Sequence, residues 1–413
     1  MKARHTVLTI LFISWIVSYM DRTAMSVAIP YIAVDFHLTP ITMGFVMSAF
    51  FVGNAISQIP GGFLADKFGA RGIATIALLW WSVFTAITGA TANFTQMIVA
   101  RFNFGLGEGL FPASSLKAIA IWFPKAERGT ANAIKLAAQP LGAALGLLVI
   151  GAIISVWGWR VVFYSMFFPG ILVSFLFWAF VRDKPSKNPR VTSEELAELE
   201  SDGFVAGEKT SEKLNVLAMM NKYNIWKYFL VCLAFSLADT GFNSWLPSYL
   251  VKVRGFSALQ MGAAASFPRF AAVAGCLFGG WLSDKIFKKN KIIPVIGTQL
   301  LAAVFLYLIF TVKTVQMLVI FQTLAGFFMM LFFSAFWAIP IKTIPRHLIG
   351  VTSGFINMGG QTASFIAPVA IGYLIGAKGQ HYDHAFIFMI ASLLASCALL
   401  IVIPDRRPVP AEA

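Results

Sequence analysis

One feature recurs along almost the whole sequence: a run of about 20 or more predominantly apolar residues. A run of this length lets an α-helix cross the hydrocarbon core of a bilayer. Hydrophobic residues make up 58% of the 413-residue chain and charged residues only 12%, whereas a soluble domain carries about 25% charged residues. We therefore predict an all-α membrane protein with twelve transmembrane helices. The predicted spans are 5–35, 41–65, 71–93, 95–123, 130–157, 159–181, 227–251, 257–284, 291–312, 314–343, 347–376 and 383–403.

The net charge of +14 is distributed as expected for a membrane protein. Lysine and arginine concentrate in alternate loops instead of forming one polar face, which argues against a nucleic-acid partner. Such loops face the cytoplasm under the positive-inside rule. We predict a multi-pass protein of the inner or plasma membrane, with both termini in the cytoplasm. The charged loops carry Lys67 and Arg71, Lys125 and Arg128, Lys285 to Lys291, and Arg346.

A polar segment with mixed charges divides the predicted spans into six and six. It contains an acidic cluster, Glu194, Glu195, Glu198 and Glu200, at helical spacing. We predict a six-helix bundle at 1–181, a cytoplasmic linker at 182–226 and a second six-helix bundle at 227–413. The linker is expected to be part amphipathic helix and part disorder.

The two halves share a short motif, which indicates pseudo-symmetric bundles. GGFLADK closes the second span at 61–67, and GGWLSDK closes the eighth at 279–285. An aspartate at a helix end, followed by cations in a tight loop, can hold neighbouring helices in one conformation. We predict a gating role for these residues, and the alternative is a loop that only sets topology. The predicted gating residues are Gly62, Asp66, Gly69, Arg71 and Asp284.

Four ionisable residues lie within predicted spans of the first half. Asp21 and Arg22 are near the middle of the first span, and Arg101 and Glu108 lie two helical turns apart in the fourth. Each charge at mid-bilayer costs at least ~2.5–3.5 kcal/mol, so such residues usually indicate function. With both acids ionised the four charges cancel, and protonation of both leaves two positive charges that attract an anion. The alternative is an inert ion-pair network.

The GxxxDKxGxR pattern at 62–71, its echo and the six-plus-six layout resemble the major facilitator superfamily. Within it, several stretches are similar to the anion:cation symporter family of sugar-acid and organic-anion carriers. These stretches are YMDR at 19–22, QIPGG at 58–62, WFPxxER at 122–128, GWRxxF at 158–163 and the segment 101–108. The resemblance covers nearly the whole chain.

The resemblance implies roles for individual residues. Asp21 and Glu108 would carry the coupling protons. Arg22 would hold the substrate carboxylate, and Arg101 would pair with the acids. Gln139 and Asn357 would be polar substrate contacts. Asn54 stands where galactonate-type members often have tyrosine, and it is a candidate for binding a substrate hydroxyl.

Further polar residues could bind substrate. Lys135 lies one turn from Gln139 on the fifth span and either contacts substrate or extends to the cytoplasm. Asp239 and Arg269 either form an ion pair that supports packing, or Arg269 binds a second anionic group of a dianion or sulfonate. Candidates on spans ten and eleven are Ser334, Trp337, Asn357 and Gln361.

We predict proton-coupled symport of a small organic anion by alternating access, with a hexonate or hexuronate sugar acid as the leading substrate. Carriers of aromatic carboxylates, dicarboxylates or sulfonates with the same fold, and an anion exchanger, are the alternatives. A channel would not need duplicated halves, and the sequence contains no enzymatic constellation, phosphate-binding loop or metal-ligand spacing. The expected partners are the anion, protons and the lipid bilayer. We expect a monomer without a cofactor.

Overall fold

The computed structural model describes residues 2–201, 224–285, 292–343 and 349–402, and the described residues form helices joined by short loops. The first eight α-helices, α1 to α8, are Ala3–Asp35, Pro40–Phe68, Ala70–Ala90, Phe94–Gly109, Phe111–Trp122, Lys125–Trp157, Trp159–Phe180 and Ser193–Ser201. The remaining six, α9 to α14, are Ile225–Lys252, Ala258–Lys285, Ile292–Thr311, Val315–Thr343, Ile349–Ile375 and Tyr382–Val402. The prediction of an all-α membrane protein is confirmed.

Ten of the described helices are long and apolar enough to cross a bilayer. A further apolar stretch, Val295–Thr311, lies within α11. The predicted span 95–123 is two helices, α4 and α5, separated at Leu110. The physical reason is Pro112, which has no N–H to donate to the Glu108 carbonyl four residues earlier. Leu110 keeps helical dihedral angles, so the interruption is local.

The chain divides into two compact units. The amino-terminal unit consists of Met1–Leu38, Phe45–Ser211 and Ser257–Gly262, and the carboxyl-terminal unit consists of Thr39–Gly44, Glu212–Phe256 and Ala263–Ala413. Part of the predicted linker is ordered, with a short 3₁₀ turn at Pro185–Lys187 and then α8. The rest of that linker, at 202–223, lies outside the described residues.

Close packing of α1 on α6 determines the position of the buried charges. A Cβ atom built on Gly142 would lie 2.6 Å from the Ile16 carbonyl oxygen, and one on Gly146 would lie 3.1 Å from the Met20 Cα. Two glycines four residues apart thus form a strip on α6 that accepts the α1 backbone directly. Small residues permit this approach between membrane helices, where packing is a main source of association. The strip contacts Ile16 and Met20, which precede Asp21 on α1.

Candidate functional site

An ion pair between α1 and α4 lies at the centre of the amino-terminal unit. Arg22 Nε lies 2.6 Å from a Glu108 carboxylate oxygen and donates a hydrogen bond to it. Ser18 Oγ donates to the same oxygen. Glu108 and Asp21 are each 1% exposed, and Arg101 is 2% exposed. The structure therefore places the four predicted charges in one buried region of the amino-terminal unit.

The Arg22 side chain offers an unused edge for an anion. Its Nε is committed to Glu108, but its two terminal nitrogens make no hydrogen bond to any described residue. The guanidinium carbon lies 4.7 Å from the Tyr19 ring centroid and 5.1 Å from that of Phe50. Two aromatic rings therefore hold the planar group while its outer nitrogens are left to bind a carboxylate in a two-pronged contact.

Asp21 is buried without a hydrogen bond. Neither carboxylate oxygen has a partner among the described residues, and the same holds for the Trp81 indole nitrogen, although the two groups are close enough to interact. The charges of Glu108 and Arg101 act on Asp21 at longer range. A buried carboxylate in this position is expensive to ionise and loses no hydrogen bond on protonation.

Arg101 differs from the expectation that the resemblance implied. Its charge acts on Glu108 and Asp21, but it makes no direct ion pair with either acid among the described residues. Its Nε and Nη1 are buried and unpartnered, and its guanidinium carbon lies 4.2 Å from the Phe104 ring centroid and 5.6 Å from that of Phe50. Aromatic faces therefore hold Arg101, and its donors remain unused.

Helix α6 contributes two of the predicted side chains. Gln139 accepts a hydrogen bond of 3.1 Å from the Tyr19 hydroxyl, so it is tied to α1 next to Arg22. Lys135 is 4% exposed, and its ammonium nitrogen lies 5.2 Å from the Trp15 ring centroid. The Lys135 side chain therefore lies inside the bundle in this conformation, and its contact with substrate stays a prediction.

Asn54, on α2, is 2% exposed. Its Oδ1 accepts a 2.7 Å hydrogen bond from Gln58, whereas its Nδ2 has no partner among the described residues. The backbone beside Asn54 touches α4, since a Cβ atom on Gly105 would lie 2.9 Å from the Asn54 backbone nitrogen. The glycines around Glu108 thus admit a neighbouring helix.

In the carboxyl-terminal unit, Asp239 and Arg269 lie within electrostatic range of each other on α9 and α10. Asp239 also accepts a 2.9 Å hydrogen bond from Asn243 Nδ2. The charges therefore occur together, as both alternatives for this pair require.

The other candidates of this unit are less concentrated. Ser334 packs on α10, where a Cβ atom on Gly279 would lie 3.0 Å from the Ser334 Cβ. Trp337 packs on Phe333 and Phe336, with ring centroids 6.2 and 6.0 Å away. On α13, Asn357 is exposed and Gln361 is half-buried.

The motif-bearing loop after α2 makes contacts that differ from the expected ones. Asp66 pairs with Lys117 of α5 at 3.1 Å, and not with a cation of its own loop. Gly69 has φ 89°, a conformation that favours glycine. Asp183 then accepts a 2.9 Å hydrogen bond from the Arg71 backbone N–H.

The remaining observations on the gating candidates concern Arg71, Gly62 and Asp284. The Arg71 guanidinium stacks 3.7 Å from the Trp178 ring centroid. A Cβ atom on Gly62 would meet nothing within 4 Å, so packing in this conformation does not require glycine there. The Asp284 backbone closes α10, and its side chain lies outside the described residues.

The linker helix α8 binds the start of α1. Glu195 is 1% exposed and accepts hydrogen bonds of 3.0 Å from the backbone N–H groups of Ala3 and Arg4. Arg4 in turn donates to Glu127 and Glu198, at 3.2 and 3.3 Å. Hydrogen bonds from Lys2 and Arg4 hold the pKa of Glu198 below its ordinary value. A carboxylate at a helix amino terminus satisfies unpaired N–H groups and complements the helix dipole.

Sequence reasoning missed several residues that complete the site. Ser18 and Tyr19 precede Asp21 and Arg22 by about one turn, so helical spacing could have found them. Phe50, a residue to which the sequence assigned no function, contacts both buried arginines. Trp81 and Lys117 carried no comparable signal, because their roles depend on how separate helices pack.

Comparisons with known proteins agree with this fold. The family model of the Major Facilitator Superfamily matches residues 11–368. A relative named as a probable galactarate/D-glucarate transporter, GarP of Escherichia coli K12, is 31% identical and covers 98% of this chain and 95% of its own. A relative named as a probable sulfoacetate transporter, SauU of Cupriavidus necator, is 32% identical, with 98% and 97% covered.

A solved structure has the same fold. It is a bacterial homologue of the human lysosomal transporter Spinster, in an inward-facing and unoccupied conformation. It superposes with a TM-score of 0.82 at 18% identity and covers 96% of each chain. The resemblance inferred from the motifs is confirmed, and this multi-pass membrane chain belongs to the Major Facilitator Superfamily of transporters.

Proposed function

We propose that the protein carries a sugar-acid anion across the membrane together with protons. The observation that carries the proposal is the ion pair of half-buried Arg22 with buried Glu108, whose arginine keeps two unused donor nitrogens close to Asp21. This arrangement combines a group that binds a carboxylate with two groups that can hold protons.

Glu108 and the substrate anion compete for Arg22, and protonation of Glu108 decides which of them is its counter-ion. When Glu108 is ionised, it neutralises Arg22 and weakens attraction for a second carboxylate. When Glu108 is protonated, the substrate carboxylate takes its place as the counter-ion of Arg22. Asp21 supports the same exchange, because protonation removes a buried charge that no hydrogen bond stabilises. Protonation of both acids leaves the charges of Arg22 and Arg101 to hold the anion.

The substrate class follows from the relatives. GarP is named for galactarate and D-glucarate, which are six-carbon sugar acids with a carboxylate at each end. A sugar acid offers a carboxylate for Arg22 and hydroxyls for the polar side chains of Gln139 and Asn54. Asn54 Nδ2 is a buried donor without a partner, which suits a hydroxyl oxygen.

A sulfonate carrier is the second candidate function, and the relative named for sulfoacetate favours it. Sulfoacetate has a carboxylate and a sulfonate but no hydroxyl group. Its oxygens could accept from the unpartnered Asn54 Nδ2, but it offers no hydroxyl group that could donate a hydrogen bond. Competition between D-glucarate and sulfoacetate for binding separates the two candidates.

The same proposal covers the transport cycle. The Asp66–Lys117 pair and the contact of Asp183 with the α2–α3 loop stabilise one conformation and break in the other, which makes the loop a gate. The positively charged loops and both termini lie in the cytoplasm. The protein acts as a monomer, since all four buried charges come from one unit of one chain.

Uptake by purified protein in liposomes tests the proposal. We expect labelled D-glucarate or galactarate to accumulate when the outer solution is more acidic than the lumen, and a protonophore to abolish accumulation. Protein-free liposomes are the control. Counterflow of unmodified label would identify a carrier, as a channel gives none and an enzyme alters the label. Equal uptake with and without the proton gradient would contradict coupling, and no uptake of any sugar acid would contradict the substrate class.

A further inference from the structure

Lys135 is a buried cation of the amino-terminal unit that the proposed proton and anion cycle does not use. It is 4% exposed and makes no ion pair or hydrogen bond with any described residue. Its ammonium nitrogen lies 5.2 Å from the centroid of the Trp15 ring. A buried ammonium without a carboxylate is costly, and inside a membrane helix it indicates a missing anionic partner.

A buried acceptor lies close to Lys135 in sequence. Asn132 is three residues earlier on α6, so the two side chains share a helix face. The Asn132 Oδ1 is buried and has no hydrogen-bond partner among the described residues. One face of α6 thus carries an unpaired cation and an unpaired acceptor, which together suit a carboxylate whose neighbouring carbon bears a hydroxyl.

Contacts between α1 and α6 relate Lys135 to Arg22. Trp15, Tyr19 and Arg22 follow each other at positions i, i+4 and i+7 on α1, and therefore share a face. The Arg22 guanidinium stacks on Tyr19, Tyr19 bonds to Gln139, and the Trp15 ring contacts Lys135. Both cations thus lie along the contact between α1 and α6, each about one helical turn from the Tyr19–Gln139 hydrogen bond.

The spacing of Trp15 and Arg22 along α1 is comparable with the reach of a six-carbon diacid. Seven residues of helix between Trp15 and Arg22 correspond to about 10 Å along the axis. An extended six-carbon chain with C–C bonds of about 1.5 Å spans about 6 Å between its terminal carbons. A charge-assisted contact of about 3 Å at each end brings the total to about 12 Å. A two-carbon sulfonate is too short to reach both groups.

We propose that Lys135, with Asn132 beside it, binds the second carboxylate of a six-carbon sugar diacid whose first carboxylate is held by Arg22. The proposal rests on the proposed function and makes it more specific. Lys135 is then the residue that distinguishes a sugar diacid from a sugar monoacid of the same length. The bound dianion supplies the counter-ion that no described residue provides at this position.

Direct binding of D-glucarate and D-gluconate to purified protein tests this. The two ligands have the same carbon number and differ in charge at C6. Loss of one charge-assisted hydrogen bond corresponds to roughly 10- to 100-fold in affinity. We expect Lys135→Gln to lose that much affinity for D-glucarate with little change for D-gluconate, and Lys135→Arg to retain most of the preference for the diacid. Lys187→Gln, an exposed lysine of the 3₁₀ turn, should change neither affinity.

The comparison separates failure of this inference from failure of the proposed function. Retained D-gluconate binding also reports that Lys135→Gln is folded. An unchanged D-glucarate affinity in Lys135→Gln, or an equal loss for both ligands, would overturn the role of Lys135 and leave the sugar-acid function standing. Wild-type protein that binds D-gluconate but not D-glucarate would overturn it too. Wild-type protein that binds neither would refute the proposed function itself. If Arg269→Gln, and not Lys135→Gln, removes the preference for the diacid, the second carboxylate site belongs to Arg269.

Discussion

The Nε atom of Arg22 lies 2.6 Å from a carboxylate oxygen of Glu108, a residue 86 positions later in the chain. This ion pair links α1 to α4, and most of the arginine's donor capacity remains unused. The pair predicts distinct consequences for changes at its two ends, because Glu108 can lose its charge by protonation and Arg22 cannot.

Glu108→Gln should abolish accumulation of substrate driven by a proton gradient and spare exchange of internal for external substrate. The amide mimics the protonated acid, so the anion can bind to Arg22 but no proton is released. Uptake and exchange in liposomes measure the two activities separately. Glu194→Gln, which changes an exposed glutamate on α8, is the control. A Glu108→Gln protein that still concentrates substrate would show that the coupling proton is elsewhere.

Arg22→Lys should weaken substrate binding about tenfold or more although the charge is kept, because two parallel hydrogen bonds become a single point contact. It should also disturb the stacking of the planar guanidinium on Tyr19 and Phe50. Isothermal titration with D-glucarate measures the affinity. Arg190→Lys, outside the membrane helices, provides the matched control. Unchanged affinity would move the carboxylate anchor to another cation.

Asp66→Asn should slow transport with little effect on substrate affinity. The side chains of Asp66 and Lys117 are 79% and 29% exposed, so their pair contributes only about 0–1 kcal/mol to stability. Its role is then to shift a conformational equilibrium. If the pair is the functional unit, Lys117→Met should slow transport to the same extent, and the double variant should be no slower than either single one. A large loss of affinity with normal turnover would refute the gate.

The Asp239–Arg269 pair predicts a rescue. If Arg269 serves mainly to neutralise Asp239, Arg269→Ala leaves a buried acid unpaired. The free energy of unfolding should then fall by about 3–5 kcal/mol, and the yield of folded protein should fall with it. The double variant Asp239→Asn with Arg269→Gln should then restore expression and transport. Folded protein yield and uptake are the two measurements. A double variant that folds well but cannot bind substrate would instead assign Arg269 to the binding site.

Glu195→Ala should lower the free energy of unfolding by about 1–2 kcal/mol, because two backbone N–H groups at the start of α1 lose their acceptor. The melting temperature of the purified protein measures the effect. Glu194→Ala is a close control, because Glu194 precedes Glu195 on the same helix and its side chain is exposed. Equal melting temperatures for the two variants would show that the contact contributes no stability.

Hydropathy and charge were sufficient to predict the helices and the buried cluster around Asp21, because a membrane interior penalises both unpaired backbone and isolated charge. The interruption at Leu110 was not predicted, and a proline alone does not predict such a break, because Pro30, Pro60 and Pro140 lie inside continuous helices. The partners of Asp66 and Glu195 were not predictable. They lie 51 and about 190 positions away in the chain, and only the packing of separate helices brings them together. The same reason explains why Phe50 and the buried position of Lys135 required the structure.

The contact of Glu195 with the start of α1 has a practical consequence for dividing the chain into two co-expressed fragments. Division after Val181 would leave α8 with the second fragment, and the first helix would lose its cap. Division after Ser201 would keep α8 covalently joined to the helices it binds. The preferred point of division therefore lies after α8, about twenty residues beyond the end of the last apolar helix of the first half.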